Sequence, residues 1–238
     1  NLKESVRIVE TANKYKKLIK TGFNHRFHPA VIKTKSVIES GDIGEIMNIR
    51  GVYGHGGRTG MENEWRCSKD LCGGGELLDQ GVHLIDLINF FTDQSVTEVF
   101  GNIATHYWDI EVEDNVFFTL KTKKGIIAQC HASWTNWKNK FSFDIFGTKG
   151  YISINGLGGS YGVESLDIGL RKTLGSVPDI KNYSYDVDDK SWELEWLDFK
   201  KSIINNTASN GSGIDGMIAN KIVDQIYISS KTGRIVTI

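Results

Sequence analysis

The chain has 238 residues, with 28 Lys or Arg against 29 Asp or Glu, a formal net charge of -1 and 39% apolar residues. That size sets one or two globular domains, and the near-neutral balance excludes a nucleic-acid binder working through bulk charge. No run approaches the roughly 20 apolar residues of a bilayer span, and Cys67, Cys72 and Cys130 are too few for a disulfide scaffold. The expectation is a cytoplasmic protein with reduced thiols and neither nucleic-acid nor membrane partners.

Leu2, Val6, Val9, Ala12 and Tyr15 recur at helical spacing, so residues 2 to 16 read as a helix, and residues 18 to 23 as a short strand. A helix feeding a strand is half of an α/β unit and cannot alone cover a parallel sheet, so more chain is expected upstream. Pro29 opens a second helix that runs to about Ser40 and stops at Gly41, and residues 43 to 53 read as a strand. Residues 54 to 75 form a glycine-rich excursion, longer than a simple connection, that carries His55, Arg58, Trp65 and Arg66. Arg58 can grip a phosphate, pyrophosphate or carboxylate bidentately; a plain surface arginine reads equally well.

Residues 77 to 91 give the clearest helix. The pattern then switches to period two, with strands predicted over 96–106, 112–121, 125–133, 140–146, 151–154 and 163–170. Helices over 192–204 and 214–230 and an edge strand over 234–238 close the chain. The fold class is α+β: an open, mostly antiparallel sheet of about six strands, covered by helices on one face. Its other face needs cover, and a second subunit is the natural candidate.

Neither glycine-rich stretch, Gly54 to Gly60 or Gly156 to Gly162, has the spacing of a dinucleotide-binding loop, and neither is followed by a helix. On the 77–91 helix, Glu76, Asp79, His83 and Asp86 gather on the side opposite Leu77, Leu84, Ile85 and Ile88. Asp79 and His83 are i and i+4, so the carboxylate can orient the imidazole, raise its pKa and make it an acid or base near neutrality. The alternative is a solvated helix face with an incidental Asp-His pair.

Gly73-Gly-Gly-Glu-Leu-Leu-Asp79-Gln-Gly-Val-His83-Leu-Ile-Asp86-Leu resembles the signature segment of the Gfo/Idh/MocA family. Gly22-Phe-Asn-His-Arg-Phe-His-Pro29 resembles the segment that closes that family's Rossmann domain, and Asp215 to Gly233 resembles its closing helix and turn. The resemblance implies an NAD- or NADP-dependent oxidoreductase acting on a hydroxyl or keto group of a sugar, nucleotide sugar or cyclitol. It assigns residues 1–24 to the end of a Rossmann domain and 25–238 to a substrate-binding and oligomerisation domain. Asp79 and His83 match the family's catalytic Asp and His; its catalytic Lys, in a Glu-Lys-Pro motif, has no counterpart in this chain. Asn24 and Arg26 fall where the cofactor is approached, while Arg58, His55, Trp65, Arg66 and Trp137 are candidates for the substrate. Trp134 and Trp137 lie where the family's sheet faces the sugar, although a core or interface tryptophan explains either equally. A homodimer or homotetramer through the sheet is implied. Two other functions stay open: NAD-assisted cleavage of a glycosidic or similar bond, and a non-catalytic sugar-binding homologue.

Overall fold

The computed structural model describes residues 1–238 and is organised on one sheet of nine strands. In chain order the elements are α1 (Leu2–Lys14), α2 (Pro29–Glu39), β1 (Ile46–Gly54), a single turn α3 (Lys69–Cys72), a π-helical turn (Leu77–Gly81) and α4 (Val82–Thr92). Then follow β2 (Val96–Ala104), β3 (Asn115–Thr122), β4 (Ile127–Ser133), β5 (Lys140–Gly147), β6 (Gly150–Asn155), β7 (Glu164–Leu170) and β8 (Asp179–Tyr185). Helices α5 (Ser191–Asn205) and α6 (Gly213–Thr232) and a short β9 (Val236–Thr237) complete the chain.

The strand order is β8-β7-β6-β5-β1-β4-β3-β2-β9. Every neighbouring pair is antiparallel except β1 and β4, which run parallel with Gly51 opposite Cys130. The sheet is therefore larger than the expected six or so strands. Strand β1 enters its centre from far upstream, β9 adds one edge, and β8 adds the other. Strand β8 carries no apolar alternation because only β7 holds it and none of its residues is buried.

Helices α2, α4 and α6 pack on one face. Contact there is tight: a Cβ at Gly51 would lie 3.1 Å from Cys130 Sγ and 3.2 Å from Leu84 Cδ2. Leu84 thus seats α4 on the middle strand, and its complete burial makes Leu84→Ala a loss of about 2–5 kcal/mol. Seating α4 in this way places the residues beside Leu84, including His83, at the end of β1. On the opposite face Phe117 and Ile127 are both half exposed, and the Phe117 ring stacks on His131 with centroids 4.0 Å apart.

Residues 18 to 23 do not form the expected strand. Only Lys20 bridges, to Ser212, and the main chain of Thr21 bonds to Gly211. With no neighbouring strand to extend the ladder, this segment is tied instead to the loop between α5 and α6. Helix α1 is closed by a capping box of Asn1 and Glu4 and lies along α6, where Leu2 N donates to Asp224 Oδ2 at 2.9 Å. None of its residues is buried, and Ile8 and Tyr15 are exposed. No helix is long and apolar enough to cross a membrane.

Candidate functional site

The helix that begins at the three glycines carries the densest set of ionisable groups, and its polar side is not solvated. Glu76 and Asp86 are fully buried. Two of the three glycines are demanded by packing, and the third by its backbone conformation. A Cβ at Gly74 would meet Tyr227 Oη at 2.2 Å, one at Gly75 would meet the Glu113 carbonyl at 2.1 Å, and Gly73 turns at φ +81°.

No hydrogen bond or ion pair joins Asp79 to His83. The turn at Leu77–Gly81 winds as a π-helix, whose wider repeat carries i and i+4 out of line. Asp79 turns to Arg66, with Nη1 3.3 Å from each carboxylate oxygen. His83 instead stacks on His25, with centroids 4.1 Å apart and planes 23° from parallel. Tyr53 and Phe23 present ring edges to it at 6.3 and 6.0 Å. Its Nδ1 has no hydrogen-bond partner. The expected rise in pKa is reversed: burial, and then the nearby His28, push the His83 imidazole down to about 4.

His25, His28, Tyr53, Gln80 and Tyr161 were not singled out from sequence, yet they build the surroundings. His25 Nδ1 donates to Asn24 Oδ1 at 3.2 Å, which leaves the buried Nε2 as an unpartnered acceptor. Burial, with His83 and His28 adding to it, keeps His25 neutral. His28 Nδ1 donates to Glu164 Oε2 at 3.0 Å, and Glu164 Oε1 accepts from Ala30 N at the start of α2. Gln80 Nε2 donates to Tyr161 Oη at 2.7 Å, and the Tyr161 ring lies 4.9 Å from Tyr53. Tyr161 comes from the second glycine-rich stretch, which is a β6–β7 turn delivering this ring. Only the proximity of His25 and His28 to Pro29 hinted at such a cluster.

Glu76 sits at the base of the same helix. Neither carboxyl oxygen has a hydrogen-bond partner, and the Ser133 backbone and Trp134 indole lie beside it. Burial, followed by the charges of Asp79 and Glu113, raises its pKa well above the carboxylate range. Trp134 is fully buried in a second small core with Met61, Cys67 and Val112, so it does not face a ligand.

The remaining expected site residues divide. Arg26 is a buried clamp: Nε and Nη2 bond Asp86 at 2.9 and 2.6 Å, Nη1 reaches Asn210 Oδ1 at 3.0 Å, and Asp215 lies 3.2 Å from Nη2. Asn24 is buried too, donating from Nδ2 to Ser191 Oγ at 3.0 Å. Their polar side-chain groups hold α4, α5 and α6 together. On the excursion Arg58 pairs with Glu64 at 2.7 Å, and Arg66 with Glu64 at 3.1 Å as well as with Asp79. His55 accepts the Gly57 N–H on Nδ1 at 2.9 Å, and burial lowers its pKa. Trp65 and Trp137 are both exposed.

A family model described as GFO/IDH/MocA C-terminal domain matches residues 31–153, more than half of the chain. Glucose-fructose oxidoreductase domain-containing protein 1 of Mus musculus is 35% identical over 103 residues, 43% of this chain and 26% of the mouse protein. The NADP(+) D-xylose 1-dehydrogenase of Haloarcula marismortui is 22% identical over 241 residues, 97% of this chain and 63% of that protein. This chain therefore spans less than two thirds of either relative's length. Levoglucosan dehydrogenase, solved in complex with NADH and levoglucosan, has the same fold: TM-score 0.89 at 21% identity, over 100% of this chain and 71% of that one.

Proposed function

The chain belongs to the GFO/IDH/MocA family, and on that premise we propose that it forms the substrate-binding part of an NAD(P)-dependent oxidoreductase acting on a hydroxyl or keto group of a sugar. Relatives named for levoglucosan, D-xylose and 1,5-anhydro-D-fructose support the sugar. A relative named for NADP(+) and a neighbour solved with NADH support the nicotinamide cofactor. The residues present do not make a dinucleotide cradle, since both glycine-rich stretches have the wrong spacing and Asn24 and Arg26 are committed to internal bonds. What this chain contributes is the wall against the sugar.

The observation that carries the reading is His83. An alcohol can become a carbonyl only if its hydroxyl proton has somewhere to go. A neutral imidazole, depressed by burial and held in plane by His25, is an unprotonated acceptor at pH 7. Asp79 acts through Arg66, tying the 54–75 lip to the start of the helix. Cytoplasmic residence is part of the proposal, in keeping with three free thiols, and so is pairing of subunits through the open sheet face.

The test is turnover of a panel of aldoses, anhydrosugars and cyclitols with NAD+ or NADP+ by the complete enzyme, in which this chain is joined to a nicotinamide-binding domain. His83→Ala is expected to lower kcat by about a hundredfold or more while leaving the melting temperature within a few degrees. Near-wild-type kcat in that variant would end the assignment of His83 as the base.

A further inference from the structure

We infer that the exposed edge formed by Trp137 and Tyr107 is a second sugar subsite, so that the ligand of this chain is a neutral saccharide of two or more rings rather than a nucleotide sugar. The inference rests on the sugar reading above for the chemistry at His83, but not for the binding itself. Trp137, on the β4–β5 connection, leaves its indole 63% exposed, and Tyr107, on the β2–β3 connection, is 62% exposed. The two rings meet edge to face with centroids 4.7 Å apart and planes at 86°. Trp108 continues from Tyr107 at 5.3 Å and is anchored by Nε1, which donates to the Trp134 carbonyl at 3.0 Å.

This edge is built rather than incidental. Trp137 holds φ at +56°, a left-handed conformation that costs a side-chain-bearing residue free energy and is kept where surroundings enforce it. The lip packs closely beneath: a Cβ at Gly56 would lie 2.9 Å from Trp137 Cα, and one at Gly57 would lie 2.2 Å from Trp108 Cζ2. Exposed aromatic faces of this kind suit the apolar C–H face of a sugar ring.

Two links join the edge to the rings that surround His83. Gly56, which packs beneath Trp137, follows Tyr53 by three residues, so at most about 10 Å of chain separates the edge from the Tyr53 ring that edges His83, within the span of a di- or trisaccharide. Asn139, two residues beyond Trp137, donates from Nδ2 to the Ser160 carbonyl at 2.8 Å, clasping the turn that carries Tyr161.

Charge selects the class of ligand. The two arginines of the lip are neutralised within the chain, Arg58 by Glu64 and Arg66 by Glu64 and Asp79. Beside the aromatic edge, Lys138 follows Trp137 and Asp109 follows Trp108. A diphosphate would have to break the lip's ion pairs, whereas an uncharged ring leaves them intact.

Binding to the chain, without cofactor or turnover, is measured by saturation-transfer NMR and tryptophan fluorescence against glucose, a panel of neutral di- and trisaccharides, UDP and UDP-glucose. The expected result is saturation transfer to at least one neutral di- or trisaccharide. Trp137→Ala should weaken that binding by about tenfold or more, Tyr107→Ala should weaken it also, and glucose binding should be unchanged. Both side chains are exposed, and circular dichroism confirms that the variants fold. Tighter binding of UDP or UDP-glucose, no binding of any neutral oligosaccharide, or unchanged affinity in Trp137→Ala would each overturn the subsite. Oligosaccharide binding lost in Trp137→Ala, while the complete enzyme supplied with NAD+ or NADP+ oxidises no sugar, would leave the subsite standing and remove the oxidoreductase reading.

Discussion

His83 and His25 lie face to face, their ring centroids 4.1 Å apart, with Nδ1 of one and Nε2 of the other buried and without partners. Burial disfavours a proton on either ring; His28 adds to it on both, and His83 adds to it on His25. The pair is therefore neutral at physiological pH, and the stability it confers has a defined dependence on acid.

Because the His83 pKa falls from about 6.5 unfolded to about 4 folded, the unfolded chain binds the proton more readily below pH 6.5. Stability should drop as pH falls from 6.5 towards 4, by no more than about 3 kcal/mol for this residue. Denaturant melts at stepped pH should show a shallower acid slope in His83→Gln. An equal slope in wild type and variant would show that His83 is not depressed.

Glu76 predicts the opposite trend. Its raised pKa keeps the carboxyl protonated in the fold while the unfolded chain ionises above about pH 4.5, so it removes stability as pH rises beyond that value. Glu76→Gln, which mimics the neutral acid, should raise the melting temperature at pH 7 to 8. The protonated-carboxyl stretch in the infrared, shifted in heavy water, should vanish in the variant. Its persistence, or a variant less stable at pH 8, would mean that Glu76 is ionised.

Arg26 is expected to matter for the fold. Arg26→Ala leaves Asp86 buried and unpaired, a loss of about 3–5 kcal/mol that a denaturant melt will read directly. A variant with unchanged stability but weakened NAD(H) binding would return Arg26 to the cofactor role expected from sequence.

The open sheet face should carry assembly. Phe117 and Ile127, both half exposed beside the Phe117–His131 stack, are the apolar points on it. Sedimentation at micromolar concentration should give a dimer or tetramer, and Phe117→Lys with Ile127→Lys should give a monomer that still melts cooperatively. A monomeric wild-type chain would refute pairing through this face.

Local pattern carried much of this protein. Helical periodicity located α1, α2, α4, α5 and α6, and alternation located β2 to β7, because side-chain period and capping are properties of neighbours in the chain; the Gly73-to-Asp86 segment pointed to the family. Tertiary structure decided the rest. Strand β1 sits between β4 and β5, and a parallel partner nearly eighty residues away leaves no mark on the alternation of either strand. The four ionisable residues from Glu76 to Asp86 read as one polar side, carrying either an Asp79–His83 pair or a merely solvated surface. Folding buried Glu76 without a partner, locked Asp86 to Arg26, turned Asp79 to Arg66 and stacked His83 on His25. The helix sequence specified which groups would lie on that side, but charge state and partner depend on desolvation and on side chains arriving from remote segments, and those exist only once the chain has packed.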